Sequence, residues 1–355
     1  MQFIFTVVSK EPWIIHGYTF GHSLFFLKRI LPYLCPPKNG YIHFILTHDW
    51  FLTEQRREHF LPNYKKIIKK YPFIKVTMLA NEEDELKWYK KNGIRAELCN
   101  QNALLDENLY LIQSSDKKYD AIMNAHMSPY KRIELIKNVH NCCLITYIIE
   151  NSKDADYAKT VFPLPFCDIP QFDGKKWHRY DINQICEFYA KSRCGVILSA
   201  EEGACFAATE YLLCGLPVVT TPSVGGREAF FDPDYVVWTE PTPEAVAEAV
   251  QKAISLPISP QEIRERTILK MKKIRNIYCN ILNNIAQEEG IEKNFFLEWD
   301  SFFVNKMMRC HFGTETETIN YLLAQGMNIQ YPFTHKLHTA HREFRIWWDR
   351  LRGKR

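Results

Sequence analysis

No stretch of this 355-residue chain approaches the roughly 18 consecutive apolar residues of a spanning helix, so no transmembrane segment is expected. The eleven cysteines are odd in number and contain no C-x-x-C pair. Several lie in apolar runs such as CGVIL and LLCGLPVV, where thiols pack as small hydrophobes. That usage argues against a disulfide framework or a zinc site and for a reducing cytoplasm. The opening MQFIFTVVSKEPW has neither a basic n-region nor a long apolar h-region, so no secretory signal is expected. Repeats and low-complexity tracts are missing as well. A charge of one sign is nearly absent: the formal net charge is +4, and residues 341–355, HREFRIWWDRLRGKR, carry all of that excess. The remaining 340 residues are formally neutral, which excludes a sequence-wide nucleic-acid footprint.

What is present is ordinary core material, with 46% apolar and 24% charged residues, in a chain long enough for two domains. Short β-like runs at 2–9, 41–48, 73–80 and 94–100 alternate with helical patterns at 23–34, at 53–71 with an interruption at Pro62, and at 83–93. Residues 112–119 are polar and without period, and read as a linker. A second series has strands at 120–126, 142–149, 195–199 and 235–239. PYKRIELIKNV is expected as helix, and a capping box of Asp181 and Gln184 opens another. Ser259 and Glu262 mark the start of a long helix, and the segment from about 290 reads as further helices. The fold class is therefore α/β: two Rossmann-like domains facing a cleft, with C-terminal helices. The expected boundaries are 1–116, 117–288 and 289–355, the last packing back on the first domain. Ligands in such sheets sit beyond the carboxyl ends of the strands.

The most informative stretch is EEGACFAATEYLLCGLPVVTTPSVGG, residues 201–226. It places a loop at 200–204 after a strand and then opens a helix, offering free N–H groups and a helix dipole to a phosphate. Gly203, Ala204, Ala207 and Ala208 let a bulky ligand approach the backbone. Glu202 lies at the loop mouth, and Glu210 roughly 8 to 10 Å along the helix. Two carboxylates beside an anion site suit a ligand with a hydroxyl pair on each side of a diphosphate, as in a sugar nucleotide.

Residues 195–229 resemble the donor-binding signature of retaining GT-B glycosyltransferases, in which Glu, seven residues and Glu precede C-G-x-P-V-V and a later G-G. The resemblance implies that Glu202 contacts donor sugar hydroxyls and that Glu210 binds ribose; between them the helix start, with Gly203, Ala204, Cys205 and Phe206 as donor-binding residues, offers its N–H groups near 204–206 to the diphosphate. A second block, NAHMSPYKR at 124–132, puts Lys131 at the family's phosphate lysine and His126 where the family has Arg, which either weakens the phosphate clamp or shifts part of it to Arg132. Glu228 follows the second glycine by two residues instead of three. The implied activity is metal-independent, retaining sugar transfer from a nucleotide sugar, UDP- or GDP-linked, to a saccharide or lipid-linked acceptor in polysaccharide biosynthesis. Glu202 and Lys131 are its central residues, with no further cofactor and no protein nucleophile. The first domain would hold the acceptor and the second the donor.

HGYTFGHS, at 16–23, reads as an ordinary turn or as a phosphate or acceptor loop using Gly17, Gly21 and His22. His335, His338 and His341 do not have the spacing of helical zinc ligands, and no metal is expected. In the tail, Phe344, Trp347, Trp348 and Leu351 make one apolar face among arginines. This is either an interfacial helix holding a cytoplasmic protein on the inner face of a membrane or a terminal helix packing on the first domain. Two other functions stay open: a sugar-nucleotide epimerase on the same scaffold, and a non-catalytic sugar-nucleotide-binding protein.

Overall fold

The computed structural model describes residues 2–19, 24–147, 152–161, 167–172, 176 and 178–331. Twelve strands among these residues form two sheets of six. The first sheet contains β1 (Phe3–Lys10), β2 (Trp13–Thr19), β3 (Ile42–His48), β4 (Ile74–Ala80) and β5 (Ala96–Leu98). The second contains β6 (Tyr119–Asn124), β7 (Cys142–Ile145), β8 (Cys167–Asp168), β9 (Ser192–Ile197), β10 (Val218–Thr220) and β11 (Val236–Trp238). The last strand, β12 (Cys310–Phe312), returns to the first sheet beside β1, giving the order β12-β1-β2-β3-β4-β5.

The second sheet runs β11-β10-β9-β6-β7-β8 and is parallel throughout. Its order reverses between β6 and β9, so the crevice beyond Asn124 and Ile197 is the topological switch point where doubly wound sheets take ligands. Both faces are covered. One carries Ala208, Tyr211, Leu212 and Met271, and the other Ile133, Ile136, Val246 and Val250. This explains why strands such as CCLI read as continuous apolar runs and not as alternating ones.

Several local expectations need correction. Residues 13–19 form β2, antiparallel to β1 and parallel to β3. Gly17 thus belongs to a buried strand and not to a loop. A Cβ there would lie 2.8 Å from the ring of Phe26, so its role is to admit that ring. The helix Glu54–Lys70 runs through Pro62 without interruption. Position 62 is exposed, so the carbonyl that loses its donor can turn to water. PYKRIELIKNV is not one helix but two 3₁₀ turns, Pro129–Lys131 and Ile133–Ile136, separated by Arg132 at φ 52°. The C-terminal segment contributes β12 as well as helices.

The capping box of Asp181 and Gln184 is present, and Ser259 caps the helix Pro260–Glu288. That 29-residue helix joins the two halves. Ile263 and Met271 lie in the core of the second sheet, whereas Tyr278, Ile281, Leu282 and Ile285 lie in that of the first. Midway, Arg275 donates to the carbonyls of Ala103 (2.7 Å) and Leu105 (2.6 Å) and pairs with Glu107 at 2.5 Å. The boundary drawn at 288 is thus the end of a helix whose second half is core of the first unit.

Candidate active site

The site grows from the carboxyl ends of β9 and β10. Arg227 is fully buried and donates to the carbonyls of Ile197 (3.4 Å), Ser199 (3.2 Å) and Thr221. One guanidinium therefore gathers carbonyls at the ends of β9 and β10. The loop after β9 is then tied to its neighbours: Ala200 N–H donates to Tyr130 O (2.8 Å) and Glu202 N–H to Val224 O (2.9 Å). Gly225 makes this packing possible. Its φ is +108°, and a Cβ there would sit 1.7 Å from the carbonyl oxygen of Glu202.

The helix Phe206–Leu213 begins beyond this loop. Its N-cap residue, Cys205, has φ 55° and supplies no side-chain cap. Asn102, on the segment crossing between the sheets, donates its amide to Ala204 O (2.6 Å), Cys205 O (3.0 Å) and Thr209 Oγ1 (2.9 Å). The loop carbonyls are thus drawn toward Asn102, while the uncapped helix start keeps donors and a partial positive charge for the cleft.

On one side of that start is Glu202. Its Oε1 accepts from Ser199 Oγ (2.5 Å) and from the ammonium of Lys131, and both members of the ion pair are buried. Burial pulls the Lys131 pKa down, but Glu202 more than offsets it and the net shift is upward. Lys131 also lies over the ring of Tyr130, which packs edge-on against Trp50 of the first domain at 4.9 Å. His126 stands beside them, with Nε2 3.1 Å from the Tyr130 hydroxyl. Burial first and Lys131 second lower its pKa, so the imidazole is neutral near pH 7.

On the other side is Glu210, also buried. It accepts from Tyr110 (3.1 Å) and Tyr189 (3.0 Å), and its third partner is Lys306 Nζ at 3.1 Å. Tyr189 in turn accepts from Asn124 Nδ2 (2.7 Å), linking the end of β6 to Glu210.

The structure therefore brings Glu202, Lys131, Glu210, His126, Gly203, Ala204, Cys205 and Phe206 onto one cleft of about 450 Å³. Arg132 is not with them. Its guanidinium donates to Leu198 O (2.5 Å), Thr221 Oγ1 (2.8 Å) and Pro222 O, behind the loop. Gly17 is packed under Phe26. Glu228 is exposed in a separate depression with Glu82 and Glu83. Gly21, His22, His335, His338 and the segment 341–355 lie outside the described residues. Among the described residues no group of three or more His, Cys, Asp or Glu is placed to hold a metal ion.

Sequence reasoning did not find Lys306, Trp50, Gln101 or Asn102. The run Asn100-Gln101-Asn102 carried a signal: three carboxamides in succession need many partners if buried, and all three are. Lys306 carried none, since it reaches Glu210 from 96 residues away.

Residues 176–270 match the family described as glycosyl transferases group 1. No curated protein sequence matches the chain. Among solved structures, Anabaena Alr3699/HepE in complex with UDP is 15% identical, with 69% of this chain and 72% of that one covered at a TM-score of 0.51. The α,α-trehalose 6-phosphate synthase of Burkholderia multivorans is 13% identical, with 77% and 71% covered at 0.50. TarM is 14% identical, with 76% and 54% covered at 0.50. Identities this low speak for the fold alone. The chain has the GT-B fold and, over residues 176–270 of its second domain, the sequence pattern of the group 1 glycosyl transferases.

Proposed function

We propose that the protein is a retaining glycosyltransferase that moves a sugar from a nucleotide donor, UDP- or GDP-linked, to a saccharide or lipid-linked acceptor. The observation that carries this reading is the uncapped start of the helix Phe206–Leu213 with a buried carboxylate on each flank, Glu202 and Glu210. The group 1 match over 176–270 and the UDP held by the Anabaena neighbour support it.

In this reading the diphosphate lies on the helix start, the donor sugar meets Glu202 and the ribose meets Glu210. The bond between the anomeric carbon and the β-phosphate oxygen breaks while a bond to the acceptor hydroxyl forms on the same face. The acceptor proton passes to the leaving phosphate oxygen. Lys131 and the backbone N–H groups take up the charge growing on that phosphate, which needs no metal ion. Neutral His126 offers hydrogen bonding but no charge. Residues 341–355 would keep the protein at an anionic membrane surface on the cytoplasmic side when the acceptor is lipid-linked.

The test is incubation with UDP-, GDP- and ADP-sugars, following donor hydrolysis and transfer to saccharide acceptors, with Glu202→Ala alongside. The reading expects hydrolysis of at least one donor and its loss in the variant. A protein that binds none of the donors refutes it. A second reading, a non-catalytic sugar-nucleotide binder, is favoured by one observation: neutral His126, and not a cation, stands beside Lys131 in the cleft. Calorimetric binding without turnover against any acceptor would select it.

A further inference from the structure

The crossing segment that ends at β12 brings Lys306 into the cleft, and nothing in the second domain accounts for it. Its ammonium pairs with Glu210 at 3.1 Å and stands 4.3 Å from the ring centre of Phe206, the first residue of the helix whose start faces the cleft. The side chain is 23% exposed, so it reaches the ligand space and is not sealed in the core. The backbone that aims it is unusual: Lys306 and Met307 both have positive φ, 61° and 51°. Two successive non-glycine residues in that region are costly and persist only where the surroundings enforce them. The first domain does so. Tyr18 donates to Lys306 O (2.7 Å), Thr6 to Met307 O (2.7 Å), and Asn305 accepts from Asp106 N–H (2.9 Å).

Charge gives this placement a purpose. A nucleoside diphosphate carries at least two negative charges, and an uncapped helix start compensates about half of one. Among the described residues lining the cleft, the cationic side chains are Lys131 and Lys306; His126 is neutral, and Arg132 is turned away. Lys131 lies on the Glu202 side of the helix start and Lys306 on the Glu210 side.

Resting on the reading above, we infer that Lys306 is the second phosphate-binding cation of the site, supplied by the C-terminal segment folded back on the first domain. In the free protein it neutralises Glu210. When a nucleotide binds, ribose hydroxyls replace it as donors to the Glu210 carboxylate, and the ammonium swings to the diphosphate. Binding would thereby couple the donor domain to the segment that ends in the first sheet.

Calorimetry with UDP, GDP and ADP and with the parent nucleosides tests this. For a diphosphate that the wild type binds, Lys306→Met should lose about tenfold or more in affinity, against less than about threefold for the nucleoside, and Lys306→Arg should recover most of the loss. Because Lys306→Met leaves Glu210 without its cation, the pair Glu210→Gln and Glu210→Gln/Lys306→Met decides between roles. A phosphate-binding lysine still costs diphosphate affinity in that background, whereas a lysine that serves only Glu210 costs none. Equal losses for nucleoside and diphosphate, or no loss in the Glu210→Gln background, overturn the inference while leaving the transferase reading intact. A wild type that binds none of the three diphosphates overturns the reading itself.

Discussion

The side-chain amide of Asn102 lies 2.6 Å from the carbonyl oxygen of Ala204 and 2.9 Å from the hydroxyl of Thr209, although more than 100 residues separate them. One buried donor on the segment between the domains thus holds the loop and the first turn of the helix that define the anion seat. Asn102→Ala leaves buried acceptors without a donor and should destabilise the protein by about 2 to 4 kcal/mol. Asn102→Asp should be worse, since it turns a lone-pair oxygen toward the same acceptors. Urea denaturation of both variants checks the order.

The buried pair of Lys131 and Glu202 should behave as a unit. Removing one member leaves the other charged and unpaired, so Lys131→Met or Glu202→Gln alone should cost about 3 to 5 kcal/mol. The double variant should cost less than the sum of the two. A double-mutant cycle on unfolding free energies measures the coupling, and additivity would show that the two side chains do not stabilise each other.

Glu85 predicts a stability that declines with rising pH. The residue is buried and accepts from the N–H groups of Leu52 (3.2 Å) and Asn81 (2.9 Å). Burial raises its pKa from 4.5 to about 7. Between those values the folded state keeps a proton that the unfolded chain has lost, so the contribution of Glu85 falls as pH rises through about 4.5 to 7, then levels. The whole effect is on the order of 3 kcal/mol. The difference in stability between wild type and Glu85→Gln, measured from pH 5 to 8, should trace this decline.

His16 has the opposite sign. Its ring is buried in β2, 3.0 Å from the Tyr278 hydroxyl and 3.2 Å from that of Thr47. Burial lowers its pKa from 6.5 to about 3. Below pH 6.5 the unfolded chain gains a proton that the folded state refuses, so stability falls as pH drops, by about 1.4 kcal/mol per unit. Replacing it with Gln, which hydrogen-bonds without titrating, should flatten the wild-type loss between pH 6.5 and 4.5.

Much of the architecture was legible because it rests on local regularities. The strands at β1, β3, β4, β6 and β9, the Asp181 capping box and the Ser259 cap follow from apolar runs and short-range hydrogen-bonding patterns. The errors arose where distant contacts override local preference. Arg132 breaks its helix because strand-end carbonyls 66 and 90 residues away bind its guanidinium. β2 was missed because WIIHGYT makes sense as a strand only between β1 and β3. Pro62 leaves its helix whole because the position is exposed.

By itself the chain determined that a loop and a helix start would carry Glu202 and Glu210 on either side of small residues, since spacing along one continuous segment sets that geometry. Only the tertiary structure decided what those carboxylates meet. Lys131 reaches Glu202 across 71 residues and Lys306 reaches Glu210 across 96, and no short-range pattern encodes either meeting. Helix starts are written in neighbouring residues, whereas the charges that complete an ion site come from wherever folding places them.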